Sequence, residues 1–167
     1  MMILSTHADK PTPLPDVNAM AEAIDRTLTT RASGLSCDTV SFLYRKGESP
    51  AHTEASLTVT VNHDNGYGGL VWYVDGETAR RLAGSTGQEV ADSVWVSANS
   101  NPPEFEPKIL VDPWAPTYIH RTCAFPVEVL RVALGEFCAN GNGDRPTCIE
   151  WTQANFDGTL LEEPDTE

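Results

Sequence analysis

The chain has 167 residues, and its 24 Asp and Glu against 11 Lys and Arg give a formal net charge of −13. That length fits one domain of roughly 100–200 residues, and 40% hydrophobic residues supply a core, which excludes disorder throughout. No apolar run approaches the ~18 residues of a membrane span, and the acidity disfavours nucleic acid and anionic membranes while favouring a basic protein as partner.

Met1–Leu4 is apolar for only four residues. It lacks the basic start and the ~7–15-residue apolar stretch of a signal peptide, so a cytoplasmic location is expected. Residues 1–15, with Pro11, Pro13 and Pro15, read as a flexible or extended lead-in. Asp16 then stands as an N-cap before Val17, Met20, Ala21, Ile24 and Leu28, whose spacing predicts an amphipathic helix over 16–31. Thr39–Arg45 is β-branched and aromatic, hence a strand. Over 55–62, Leu57, Val59 and Val61 alternate with Ser56, Thr58 and Thr60, the period of a half-buried strand. His63-Asp64-Asn65-Gly66 follows as a hairpin turn, and residues 67–74 (YGGLVWYV) as the returning strand, closed by Asp75-Gly76.

Residues 76–88 hold three glycines and short polar side chains, which predicts a loop with at most one helical turn. Strands are expected at 92–97, 108–111 and 118–121, the first two separated by a proline-bearing loop over 98–107. Pro126 opens a second amphipathic helix that runs through Val127, Leu130, Ala133, Leu134 and Phe137 and stops at Asn140-Gly141. A last strand at 147–152 precedes an acidic, flexible tail from about 154 to 167. Hairpin-ordered strands with a helix near each end make an α+β fold, a single domain over 16–153 built mainly on an antiparallel sheet.

The charge is uneven. Residues 1–83 carry seven basic and ten acidic side chains, residues 84–167 four basic and fourteen acidic ones. A uniformly solvated acidic surface and an acidic recognition face in the second half both fit that count. The cysteines at 37, 123, 138 and 148 form no C-x-x-C pair, so free, mostly buried thiols are expected rather than zinc ligands.

No catalytic constellation assembles. His52-Thr53-Glu54 matches the H-x-E half of the zinc-deaminase signature, but Pro146 is followed by Thr147, Cys148, Ile149 and Glu150, which leaves out the second cysteine of P-C-x-x-C. His120 and Cys123 are close in sequence, yet Cys123 is followed by Phe125 and Pro126 and has no nucleophile elbow around it. The glycines at 68–69 and 141–143 precede no Lys-Ser/Thr and form no phosphate loop. Nothing calls for a cofactor or a metal. Trp72, Trp95 and Trp151 lie in strands and are expected to pack inside, whereas Trp114 sits between Pro113 and Pro116 in a loop. With Tyr118 it suits a protein-contact anchor, and Phe105 between Glu104 and Glu106 suits a basic partner surface.

The order of these features resembles the Imm-one type of immunity proteins from bacterial polymorphic toxin systems. The carriers are Asn65, Gly66, Tyr67, Gly68 and Trp72 around the hairpin, then Phe137, Gly141 or Gly143, Arg145, Pro146, Glu150 and Trp151 near the end. The resemblance spans residues 17–152. It implies a small, non-enzymatic α+β protein that protects its producer by binding a cognate toxin, usually a nucleic-acid deaminase, and occluding its active site or substrate groove. Such a groove is basic to hold phosphates, so an acidic cover is electrostatically apt. The family motifs are structural and leave the contact surface open. The expected contacts are therefore the loop residues Glu104, Phe105, Glu106, Asp112, Trp114 and Tyr118, with Asp64 and Asp75 at the hairpin ends as second choices. The competing reading is an acidic regulatory or scaffolding module with a basic partner that is not a toxin.

Overall fold

The computed structural model describes residues 1–6, 10–47, 52–86 (backbone only for 82–86) and 94–161. In chain order the elements are β1 (Met2–Thr6), β2 (Thr12–Leu14), α1 (Val17–Thr29), β3 (Cys37–Tyr44), β4 (Ala55–Asn62), β5 (Tyr67–Val74) and α2 (Gly76–Thr86). There follow β6 (Val94–Ala98), β7 (Ile109–Asp112), β8 (Thr117–Ile119), a 3-10 turn (Arg121–Cys123), β9 (Phe125–Pro126), α3 (Val127–Asn140) and β10 (Glu150–Gln153). One antiparallel sheet runs β10-β6-β5-β4-β3-β1-β2, with β9 paired to one end of β5, and β7-β8 form a separate hairpin. The expected α+β class, with its mainly antiparallel sheet, is what the chain adopts.

Period-two alternation divides the sheet into two unlike faces. Val40 and Phe42 on β3, Leu57, Val59 and Val61 on β4, and Leu70, Trp72 and Val74 on β5 all point one way, into a core shared with Ile24 and Leu28 of α1 and Leu130, Leu134 and Phe137 of α3. Trp72 is fully buried there, and its Nε1 donates to Gly143 O at 3.1 Å. The Arg145 guanidinium lies 5.6 Å from the Trp72 ring centroid and 4.6 Å from that of Trp95, so the Arg-Pro segment after α3 is held by cation–π stacking. Asp16 caps α1 by accepting from Ala19 N at 2.8 Å, and α3 ends on Gly141 in the left-handed region.

The opposite face is largely hydroxyl-bearing. Thr39 bonds Thr60 at 3.0 Å and Ser41 bonds Thr58 at 2.7 Å across β3 and β4. A thinner layer covers part of this face: Ile109 and Ile119 of the β7–β8 hairpin, with Cys123, Ala124 and Ala154, pack on Val94 and Val96 of β6. Side chains of the main sheet fasten that layer at one end. Asn62 Nδ2 donates to Pro107 O and Lys108 O at 3.0 and 3.2 Å, Asn65 Nδ2 donates to Pro107 O at 2.8 Å, and Leu110 N donates to Cys37 Sγ at 3.3 Å. The two adjacent glycines of β5 serve the two faces separately. A Cβ on Gly68 would lie 2.4 Å from Thr60 O and 2.8 Å from Leu130 of α3, and one on Gly69 would lie 2.8 Å from Ile119 of β8.

Several expectations change. The lead-in of 1–15 contributes two strands: β1 pairs with β3, β2 pairs with β1, and Met2, Ile3 and Leu14 are buried. Pro13 is tolerated because β2 is the outer strand, opposite Ile3. The loop of 76–88 is an eleven-residue helix, α2, with 87–88 outside the described residues. Asp75 nucleates it by accepting from Thr78 N at 2.6 Å while Ala79 N donates to Asp75 O at 2.8 Å, and Ala79 is buried. The strand of 118–121 is shorter, since 121–123 turn into a 3-10 helix, and the last strand starts at Glu150 because Thr147 and Cys148 N–H groups bond the Glu136 carboxylate instead. The strand expected from Asp92 is seen from Val94, with 92 and 93 outside the described residues. The tail expected from 154 is folded over 154–160, where Ala154 is buried, donates to Val94 O at 3.1 Å and bridges to Leu160; the rest of it, from 162, lies outside the described residues.

Two substitutions probe this packing and the cap of α2. Gly68→Ala forces a methyl against a backbone oxygen and is expected to cost about 2–3 kcal/mol in urea unfolding, while Gly34→Ala, with open space around it, stays within about 0.5 kcal/mol. Burial opposes ionisation of Asp75, but its bonds from Thr78 and from His52 outweigh that and hold its carboxyl below the ordinary 3.8. Its capping contribution, about 1 kcal/mol, is therefore present above that pH and lost as the pH falls through the depressed value. The stability gap between the native chain and Asp75→Ala should be open at pH 7 and nearly closed at the acid limit of folding.

Candidate partner-binding surface

The thin second layer carries most of the exposed aromatic surface. Trp114 stands at the tip of the β7–β8 hairpin with 95% of its surface exposed. The turn beneath it is set by Asp112, whose Oδ1 accepts from Trp114 N at 2.8 Å and Ala115 N at 3.3 Å. Asp112 is thus an architectural residue of the hairpin tip, and Trp114 is its presented side chain. Pro113 and Pro116, both exposed, flank it.

At the other end of the hairpin, about 13 Å away for a four-residue strand, the 99–108 loop crosses the β4–β5 turn. Phe105 is half exposed and packs edge-on against Tyr67, ring centroids 5.2 Å apart. Glu104 and Glu106 flank it, exposed and in no ion pair among the described residues. Glu106 and Tyr118 line one cleft of about 450 Å³ with Lys108, His120, Thr159 and Leu160. The loop itself is held in place by Asn99, whose side chain donates to Ala124 O at 2.7 Å, and by Arg121, which donates to Pro103 O at 3.1 Å.

The structure therefore brings Glu104, Phe105, Glu106, Asp112, Trp114 and Tyr118 onto one layer. Asp64 lies beside it in the β4–β5 turn, where Ser36 and Arg31 both hydrogen-bond its carboxylate and hold its pKa below the usual range. Asp75 lies at the far end of β5, a strand length of about 26 Å away, and is occupied by α2 and by His52 Nε2 at 2.5 Å.

The residues 155–160 are the part of this surface that the sequence reading missed. Asn155 N donates to Thr159 O at 2.9 Å, and the turn presents Phe156 with 80% of its surface exposed, its ring 5.7 Å from that of Tyr73. The Asp157-Gly158 dipeptide is a turn signal, overshadowed by the acidic residues beyond it.

The fourteen acidic residues of the second half divide by role. Glu136 accepts from Thr147 and Cys148, and Asp144 from Asn142, so those two serve local structure. Glu104, Glu106, Asp112 and Asp157 belong to the thin layer, Glu128 and Glu150 are exposed on α3 and β10, and the other six lie outside the described residues. Lys108 and Arg121 share the layer, so its acidity is modest and its exposed rings are the stronger feature.

The side chains considered for catalysis have structural partners. His120 Nδ1 lies 2.7 Å from Thr122 Oγ1 in the 3-10 turn, and burial raises the Cys123 thiol to about 11. Burial likewise lifts Cys138 to about 12, and burial with the Glu136 carboxylate lifts Cys148 to about 11, so none of these three is a thiolate at neutral pH. Among the described residues no group of three or more His, Cys, Asp or Glu is placed to hold a metal ion, and no helix is long and apolar enough to cross a membrane.

A family model described as Immunity protein Imm1 matches residues 8–153. Neither curated proteins nor solved structures give a match. The family is generally non-enzymatic and its members act against toxins, in keeping with a surface of presented side chains. With the match covering both helices that close the core and all ten strands apart from β1, the chain belongs to the Imm1 family of immunity proteins.

Proposed function

We propose that this immunity protein acts in the cytoplasm against a nucleic-acid deaminase toxin, forming a stoichiometric complex in which the thin second layer covers the toxin's substrate groove. The observation that carries the reading is Trp114: a tryptophan held at a hairpin tip with 95% of its surface in water, where no folding role accounts for it. Tryptophan and tyrosine dominate interface hot spots. Trp114 is the central anchor of the proposed footprint, Phe105 and Tyr118 are secondary anchors, and Glu104 and Glu106 form its acidic rim. Asp112 fixes the angle at which Trp114 is presented, and Asp64 borders the footprint. Asp75 falls outside it.

A deaminase groove that holds phosphates is basic, so a net charge of −13 favours fast encounter with it. Neutralisation needs no chemistry from the immunity protein. Covering the groove denies the toxin its substrate, and residence time decides how complete the protection is.

Co-expression with the toxin domain encoded beside this chain tests the reading. Cells carrying both should survive while cells carrying the toxin alone die, and equal killing in both would contradict it; sequencing of survivors' nucleic acid distinguishes deamination from other damage. In the purified pair, Trp114→Ala should weaken binding by at least about tenfold and leave the urea midpoint of the free protein unchanged. The association rate should fall as salt rises from about 50 to 500 mM, where the Debye length shrinks from about 14 to 4 Å. A flat salt dependence would contradict electrostatic steering.

A further inference from the structure

A second cleft lies on the hydroxyl face of the main sheet, between β7 and the 155–160 turn, with a volume of about 260 Å³. Its floor is the β4 row Ser56, Thr58 and Thr60. Its sides are the apolar Val71, Val94 and Val111, from β5, β6 and β7. One end is closed by Tyr73 and the exposed Phe156, and there Asp157 supplies the only charged side chain of the lining among the described residues.

We propose that this cleft is a receptor for one arginine side chain of the bound toxin. The volume is below the ~300–1,000 Å³ usual for small-molecule sites, and suits a single side chain. An anion meets no Lys or Arg among the described residues of the lining and is repelled by Asp157. A purely apolar side chain would leave the Asp157 carboxylate without a partner, whereas arginine matches each wall in turn. Its aliphatic stem runs along the valines, as amphipathic side chains do, and its guanidinium reaches the rings of Tyr73 and Phe156 and the carboxylate of Asp157.

Acceptors for those donors are present in the lining. Thr159 holds the Asp157 carboxylate through its N–H at 2.9 Å and its hydroxyl at 2.6 Å, both to Oδ1, which leaves Oδ2 for the incoming cation. Thr58, partly exposed and fixed by one cross-strand hydroxyl bond to Ser41, keeps acceptor capacity, while Thr60 is buried beneath it. The overall charge of −13 supplies the long-range attraction. The inference extends the neutralisation reading and rests on it for the source of the arginine.

The test has two arms. In the first, N-acetyl-arginine methylamide is titrated into the full chain and followed by NMR, with the norleucine analogue as control. Shifts confined to Val71, Tyr73, Val94, Phe156 and Asp157, with a Kd of about millimolar, are expected for arginine and not for norleucine, and Asp157→Asn should weaken them at least about fivefold. In the second, binding of the toxin domain encoded beside the chain is measured for Phe156→Ala/Asp157→Asn, with Val132→Ser on the exposed side of α3 as control. The double variant should raise Kd at least about tenfold through faster dissociation, and the control should leave it unchanged. A toxin complex that forms normally and is unaffected by the double variant overturns the arginine site and spares the neutralisation reading. If no complex forms at all, the neutralisation reading fails, and the titration decides the cleft alone: cleft-confined shifts sustain it as an arginine receptor, and their absence overturns it.

Discussion

The alternation of residues along β3, β4 and β5 sends Leu57, Val59, Val61, Leu70, Trp72 and Val74 to one face and Ser56, Thr58, Thr60, Val71 and Tyr73 to the other. Everything else in the molecule follows from that inequality. The apolar face can be closed only by apolar helix stripes, so α1 and α3 pack there, and the side chains beneath them are buried almost without exception. Gly68 lets α3 approach the sheet to contact, and the Arg145 guanidinium over Trp72 and Trp95 ties the chain after α3 to the same core. The hydroxyl face has no comparable driving force. Its row of threonines is satisfied by cross-strand bonds, and a full apolar cover would bury those groups at a cost.

A thin cover is the consequence. The β7–β8 hairpin and the 155–160 turn close only the part of that face where Val94 and Val96 are apolar. The hairpin rests on a small set of directed bonds from Asn62, Asn65 and Cys37, and the turn on the bond from Ala154 N to Val94 O. Such a layer has two uses for a binding protein. It holds its side chains on a rigid platform, and it leaves exposed rings and clefts that a second core would have consumed. The side chains of more reactive type are likewise taken up by structure: the Cys123 and Cys138 thiols are buried with raised pKa values, and among the described residues His52, His120 and His63 pair with Asp75, Thr122 and Asp38.

What the sequence made legible follows the strength of each local signal. β4 and β5 are readable to the residue because alternation and an Asn-Gly turn agree, and Gly66 takes the positive φ of 71° that such a turn needs. α1 and α3 are readable from their caps and stripes. α2 was obscured because three glycines over 76–88 outweigh a helix start that depends on one aspartate, Asp75, aimed at Thr78 N. β1 and β2 were obscured by prolines that an outer strand accommodates and an inner one does not. On the surface, Trp114 was legible because prolines on both sides keep it out of any strand. Phe156 was not, since its neighbours read as the start of an acidic tail, and only the packing of Ala154 and Leu160 on β6 reveals a folded turn there.

Hydrogen–deuterium exchange of the chain with and without its toxin decides whether an immunity protein of this fold binds through the cover of its hydroxyl face. New protection is expected over 104–106, 112–118 and 155–160, with α1 and α3 exchanging as in the free protein. Protection gathered on α1 and α3, with Trp114 and Phe156 unchanged, would place the interface on the opposite face and contradict it.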